Sequence, residues 1–291
     1  MKLATGLVKG QEELLCVTPS GAMRVNRMAE RYGPSTGPWT MEAVLQQGPS
    51  AIETLLAWQE KSLGDGTERA EDYSLLAPVI RPRKIICVGL NYRPHVAESN
   101  FEVPSHPVLF NKFPNSVVGQ GATVTAPADA QQLDYEAELV IVMGKRCSRV
   151  LEEAALDYVF GYCNGNDISA RDLQFRTSQW LLGKTADGFG PMGPYLVTGD
   201  EIPDPDALEI TGKRNGEVVQ HSNTREMIFS CRYLISYLSH YMTLEPGDVI
   251  FTGTPEGVIL GCPVEERHWL SRGEKLSVAI EGLGELDTYI G

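Results

Sequence analysis

The sequence predicts an α+β protein in which strands dominate. Three observations carry that prediction. From Lys84 to the C-terminus, short β-branched and aromatic runs recur, each closed by a turn signal. Helical periodicity is confined to a few segments. Strands and helices do not alternate as βαβ units, and no G-x-G-x-x-G, Walker loop or G-x-S-x-G is present.

In chain order, Leu3 to Val8 and Leu14 to Val17 read as two short strands. Met41 to Gln47 and Pro49 to Lys61 read as helices, the second with Ala51, Leu55, Leu56 and Trp58 spaced for an apolar face. The polar stretch SLGDGTERAED is the linker candidate, and the prolines of APVIRPRK place a boundary near Pro82. The expected organisation is a small N-terminal α+β domain with linker, 1–82, and a larger domain, 83–291. The run IICVGL reads as a buried strand, followed by strands in VLFNK, VVGQGATVTAP, AELVIVMG, YLVTGD, LEITGKRNGEVVQ, DVIFTGTP and KLSVAIEGLG. Asn215-Gly216 between LEITGKR and EVVQ is a two-residue hairpin signal. Leu151 to Tyr158 and Arg232 to Tyr241 read as helices.

Composition excludes several function classes. The 291 residues carry 25 Lys and Arg against 38 Asp and Glu, a net charge of −13. No basic patch suits a phosphate backbone or an anionic membrane, and no apolar run reaches spanning length. The start, MKLATGLVKG, lacks a secretory pattern. Six cysteines without a C-x-x-C pair read as reduced thiols. A cytoplasmic enzyme or binding protein without nucleic-acid or membrane partners is the expectation.

The stretch LDYEAEL places Glu136 and Glu138 two apart, on one face of a strand that continues into LVIVMG. Like charges that close raise each other's pKa unless a cation intervenes. A solvent-exposed face and a hard divalent cation, magnesium, manganese or calcium, both fit the pattern. Asp167 in GYCNGNDISARD is the candidate third acid, although an Asp in such a turn is, taken alone, more often a turn or cap residue. In NYRPHVAES, Pro94 suits the first residue of a short helix, which places His95 and Glu98 on one face. Such a pair is either a surface ion pair or an imidazole whose tautomer is set by a carboxylate. TGTPEGV packs a tight turn after a strand, with hydroxyls and N–H groups able to hold an anion.

The blocks VGLNYRPHVAE, LDYEAELVIVMGK, GYCNGNDISARDLQ, QWLLGKTADGFGPMGP, MTLEPGDVIFTGTPEGV and GLGELDTYIG follow in one order. With them the chain resembles the fumarylacetoacetate hydrolase family, in its acylpyruvate hydrolase and oxaloacetate decarboxylase-like branch. The resemblance spans roughly Lys84 to the C-terminus, and the N-terminal residues resemble the small domain of many bacterial members. It implies a mixed β-sandwich roll, a homodimer, and Mg²⁺ or Mn²⁺ bound by Glu136, Glu138 and Asp167. It also implies a His95–Glu98 dyad on a segment that orders over the substrate, and Lys184 facing the metal site. Thr254, Arg171, Gln174 and Lys112 are the implied substrate contacts. The chain departs from the family at Pro94, where Asp is common, and at Ala186 and Gly188, where Phe and Thr are common. The last two changes imply a roomier pocket wall.

A three-carboxylate site leaves about half an octahedral shell open, which suits chelation by a 2-oxo acid. The first expectation is hydrolysis of the C3–C4 bond of an acylpyruvate-like 2,4-dioxo acid, with His95 taking a proton from water. Decarboxylation or tautomerisation of oxaloacetate, or isomerisation of a 2-oxo diacid, is the second. Dehydration of sugar-derived 2-oxo acids and a non-catalytic metal-bound scaffold follow.

Overall fold

The computed structural model describes residues 1–33, 38–62, 69–99 and 101–291, so most of the expected linker lies outside the described residues. One large sheet runs through the protein in the order Gly21–Arg24, Gln11–Thr18, Lys2–Val8, Gly190–Thr198, Val159–Asn166, Ala137–Met143, Val249–Phe251, Ile85–Gly89, Val108–Lys112. A second sheet of five strands takes the order Glu217–Asn223, Glu209–Arg214, Lys275–Ile280, Gly284–Ile290, Ala122–Val124.

The central strand Ala137–Met143 explains why LVIVMG is apolar without alternation. Leu139, Ile141 and Met143 pack into one cluster with Ile210, Val278 and Ile280 of the second sheet. Val140 and Val142 pack into another, with Leu3, Met28, Val44 and Leu55 from the N-terminal region. A strand covered on both faces needs apolar side chains at every position. Each fully buried aliphatic side chain contributes about 1.5–3 kcal/mol.

The N-terminal residues extend the large sheet. Lys2–Val8 pairs antiparallel with Gly190–Thr198, Leu3 opposite Leu196. The helices Met41–Gln47, capped by the Thr40 hydroxyl, and Pro49–Ser62 lay Val44, Leu55 and Trp58 into the same cluster as the central strand. A further helix, Val25–Tyr32, lies where the sequence offered no cap and mostly polar residues; Val25, Met28 and Ala29 make its buried face.

The other elements follow their local chemistry. Asn215 and Gly216 both take positive φ and close the hairpin between Glu209–Arg214 and Glu217–Asn223. The expected run VVGQGATVTAP divides into Val117–Val118 and Ala122–Val124 around a turn. The expected helix from Leu151 is a 3₁₀ segment, Glu152–Tyr158. Cys231–Tyr241 is capped by the Ser230 hydroxyl and buries Leu234, Ile235 and Leu238. Among the described residues, no helix is long and apolar enough to cross a membrane.

Candidate active site and metal centre

The acids meet because two strands are neighbours. Ala137–Met143 pairs with Val159–Asn166, placing Glu138 opposite Gly165. Asp167 begins the turn after that second strand, and its N–H donates to the Glu136 carbonyl at 2.9 Å. The Asn166 side chain returns the link, accepting from the Glu136 N–H at 3.0 Å. Glu136, Glu138 and Asp167 are all buried, and one carboxylate oxygen of each lies within 4.8 Å of the others. They are therefore not a solvated face.

Three cations surround them. Arg171 donates to Glu136 Oε1 at 2.6 Å and through Nε to Asp134 Oδ2 at 2.9 Å. Lys184 Nζ bridges Glu136 Oε2 at 2.7 Å and Asp167 Oδ2 at 2.8 Å, and lies 4.9 Å from the centre of the Phe110 ring. Lys112 Nζ sits 2.6 Å from Asp167 Oδ1. It donates, however, to the carbonyls of Ile168, Lys184 and Phe189, so Oδ1 accepts no hydrogen bond. Lys112 thus stands beneath the acids and outside the cavity lining.

The charges are unevenly shared. Burial would raise the Glu136 carboxyl, but Arg171 and Lys184 outweigh it and hold the group below its ordinary range. Glu138 accepts one hydrogen bond, from Gly253 N–H at 2.8 Å. Burial, then the Asp167 and Glu136 charges, push its carboxyl well above its ordinary value. A carboxylate held up by burial and like charges, next to an Asp167 oxygen that accepts no hydrogen bond, fits a hard divalent cation with oxygen ligands.

Above the acids lies the helix Arg93–Glu98, with Pro94 second rather than first. His95 is buried and its Nδ1 lies 2.9 Å from Glu98 Oε1. The Glu98 carboxylate also accepts from Gly257 N–H, which ties this helix to TGTPEGV. Glycine is required there: Gly257 has φ +94°, and a Cβ would stand 2.1 Å from the Val219 carbonyl oxygen. Gly253, at φ +99°, similarly brings its N–H to Glu138 where a Cβ would meet Asn91 and Val88. The Thr254 hydroxyl accepts from Gln220 Nε2 at 2.9 Å, and Gln174 Oε1 accepts from Arg171 Nη1 at 2.9 Å.

A small cavity, about 30 Å³, gathers His95, Glu136, Glu138, Arg171, Gln174, Lys184 and Thr254. Ala186 and Gly188 do not line it. Two residues beyond the sequence reading matter. Asp134 is fully buried, pairs with Arg171, and accepts from the N–H groups of Ile259 and Leu260. Its signal was present, since Asp134, Glu136 and Glu138 share one parity. Gln220 joins Ala137 N–H to Thr254 and the Pro255 carbonyl, and no local pattern marks it.

The chain matches known proteins over most of its length. The family described as fumarylacetoacetate (FAA) hydrolase, C-terminal, matches residues 84–290. The Xenopus laevis mitochondrial oxaloacetate tautomerase fahd2 is 44% identical over 264 residues, 89% of this chain and 80% of that protein. A crystal structure of a putative HpcE protein from Mycobacterium smegmatis superimposes with TM-score 0.82 at 38% identity, covering 100% of this chain and 99% of that one. Maleylpyruvate hydrolase from Sphingobium sp. SYK-6, in complex with manganese(II) and pyruvate, gives TM-score 0.79 at 28% identity, covering 100% and 98%.

Proposed function

The chain belongs to the fumarylacetoacetate hydrolase family, and from that premise we propose that this enzyme interconverts the enol and keto forms of oxaloacetate. The observation that carries a 2-oxo acid reading is the convergence of Glu136, Glu138 and Asp167 beneath the His95–Glu98 pair. The choice of oxaloacetate rests on the tautomerase relative, which matches nine tenths of the chain, and on the small cavity above the acids.

A magnesium or manganese ion held by Glu136, Glu138 and Asp167 would supply Lewis acidity toward the C1 carboxylate and C2 oxygen of a 2-oxo acid. The protein's own groups do the rest. Glu98 accepts from Nδ1–H of His95, which leaves Nε2 as the basic nitrogen. His95 lines the cavity and takes a proton from C3 of the keto form, returning it to the C2 oxygen to complete the enol. Lys184 and Arg171 balance the acids and set a positive potential where negative charge develops. The Thr254 hydroxyl, fixed by Gln220, orients the C1 carboxylate.

Hydrolysis of an acylpyruvate, the first expectation from the sequence, is the second reading. It is favoured by a cleft of about 650 Å³ that adjoins the cavity and gives an acyl group room. His95 would then take its proton from water.

Absorbance separates the two. With magnesium or manganese present, the enol absorbance of oxaloacetate should relax faster than in buffer, and His95→Ala should slow this about 10²–10⁴-fold. No acceleration, together with consumption of acetylpyruvate, would transfer the assignment to the hydrolase.

A further inference from the structure

The cavity over the acids shares Ser99, Phe101, Phe175 and Leu260 with the larger cleft, so a substrate tail leaving the acids passes between these residues. Among the described residues, two charged side chains line that cleft, Glu98 and Arg267. Glu98 is engaged by His95 and Gly257. Arg267 is half-buried, and its Nε donates to the Cys262 carbonyl at 2.9 Å, which anchors the guanidinium at the cleft wall. Its terminal nitrogens form no ion pair among the described residues. Glu265 and Glu266 precede it on a 3₁₀ turn, are exposed, and do not line the cleft. In a chain of net charge −13, this cation at the mouth of the site opposes the overall field.

We infer that Arg267 is a specificity-determining residue that pairs with a second carboxylate on the tail of the 2-oxo acid, so that the site selects 2-oxo diacids over 2-oxo acids with neutral tails. The free N–H pair of an anchored guanidinium matches a carboxylate, and Phe101, Phe175 and Val264 offer apolar walls to the carbons between. This inference rests on the reading of the acid cluster as a 2-oxo acid site and extends it to the far end of the substrate.

The test uses two probes with the same five-carbon chain, 2-oxoglutarate and 2-oxopentanoate, titrated calorimetrically into manganese-loaded protein. The native protein should bind the diacid about tenfold more tightly. Arg267→Gln should abolish that preference by weakening the diacid alone, and Arg267→Lys should keep part of it. The inference is overturned if the native protein shows no preference or takes up neither probe, or if Arg267→Gln leaves the preference intact. Equal weakening of both probes would also overturn it, since that marks a role in shaping the cleft through the Cys262 carbonyl. Oxaloacetate turnover measured on the same samples keeps the two proposals apart. Turnover without an Arg267-dependent preference removes this inference alone, and the preference without turnover removes the tautomerase reading alone.

Discussion

Glu138 shows how single residues in this protein are set by what surrounds them. It is buried beside two other acids with one N–H donor, so without a cation its carboxyl holds its proton more tightly than a free glutamate. Glu138→Gln should therefore fold and yet lose manganese. Its affinity, read by calorimetry, should fall by more than the ~10–100-fold that loss of an outer-shell partner costs; undiminished binding would refute the ligand set. The cysteines offer a second check. All six are free, and Cys262 alone is more than marginally exposed. Burial pushes the Cys16 thiol up to about 12 and the Cys147 thiol up to about 11 from 9.0. Because the unfolded chain ionises first, the stability these thiols lend is complete below pH 9 and is lost as pH rises toward 11–12. At pH 8 a thiol reagent should label about one cysteine quickly in the native protein and all six in denaturant; rapid native labelling of several would contradict the packing.

At the scale of elements, the site depends on a connecting segment as much as on strands. TGTPEGV has no regular structure, yet it supplies the donors that hold Glu138 and Glu98. Gly257→Ala should strain the backbone and press a methyl group on the Val219 carbonyl, at a cost of about 1–3 kcal/mol. Because Glu98 loses its anchor, kcat should fall further than the shift in denaturation midpoint explains; unchanged kcat would separate this loop from His95. Much at this scale was legible beforehand. The hairpin at Asn215-Gly216 and the helix over Pro49–Ser62 follow from turn chemistry and periodicity. The helix Val25–Tyr32 was not, because its buried face is completed by packing on the later helix Pro49–Ser62 and the strand Gln11–Thr18, and it lacks a capping side chain.

For the molecule as a whole, the large sheet ends on Val108–Lys112, whose outer edge pairs with no described strand. Leu109 and Phe113 are exposed beside it, as are Tyr241 and Met242. An open edge flanked by apolar groups invites another chain. We propose a homodimer through this face: light scattering should give twice 31.9 kDa, and Leu109→Glu should return the mass to a single chain. A native monomer would remove the proposal.

By itself, the sequence determined the strand-rich class and the family and singled out the candidate site residues, because glycine turns, paired acids and the order of the blocks are local patterns. Only the tertiary structure decided what those residues face. Whether Glu136 and Glu138 met water or Asp167 depended on which strand lay beside Ala137–Met143. Likewise, three carbonyls claim the protons of Lys112, and Asp134 joins Arg171 to the loop at Ile259. Such pairings follow from long-range packing, which no spacing along the chain encodes.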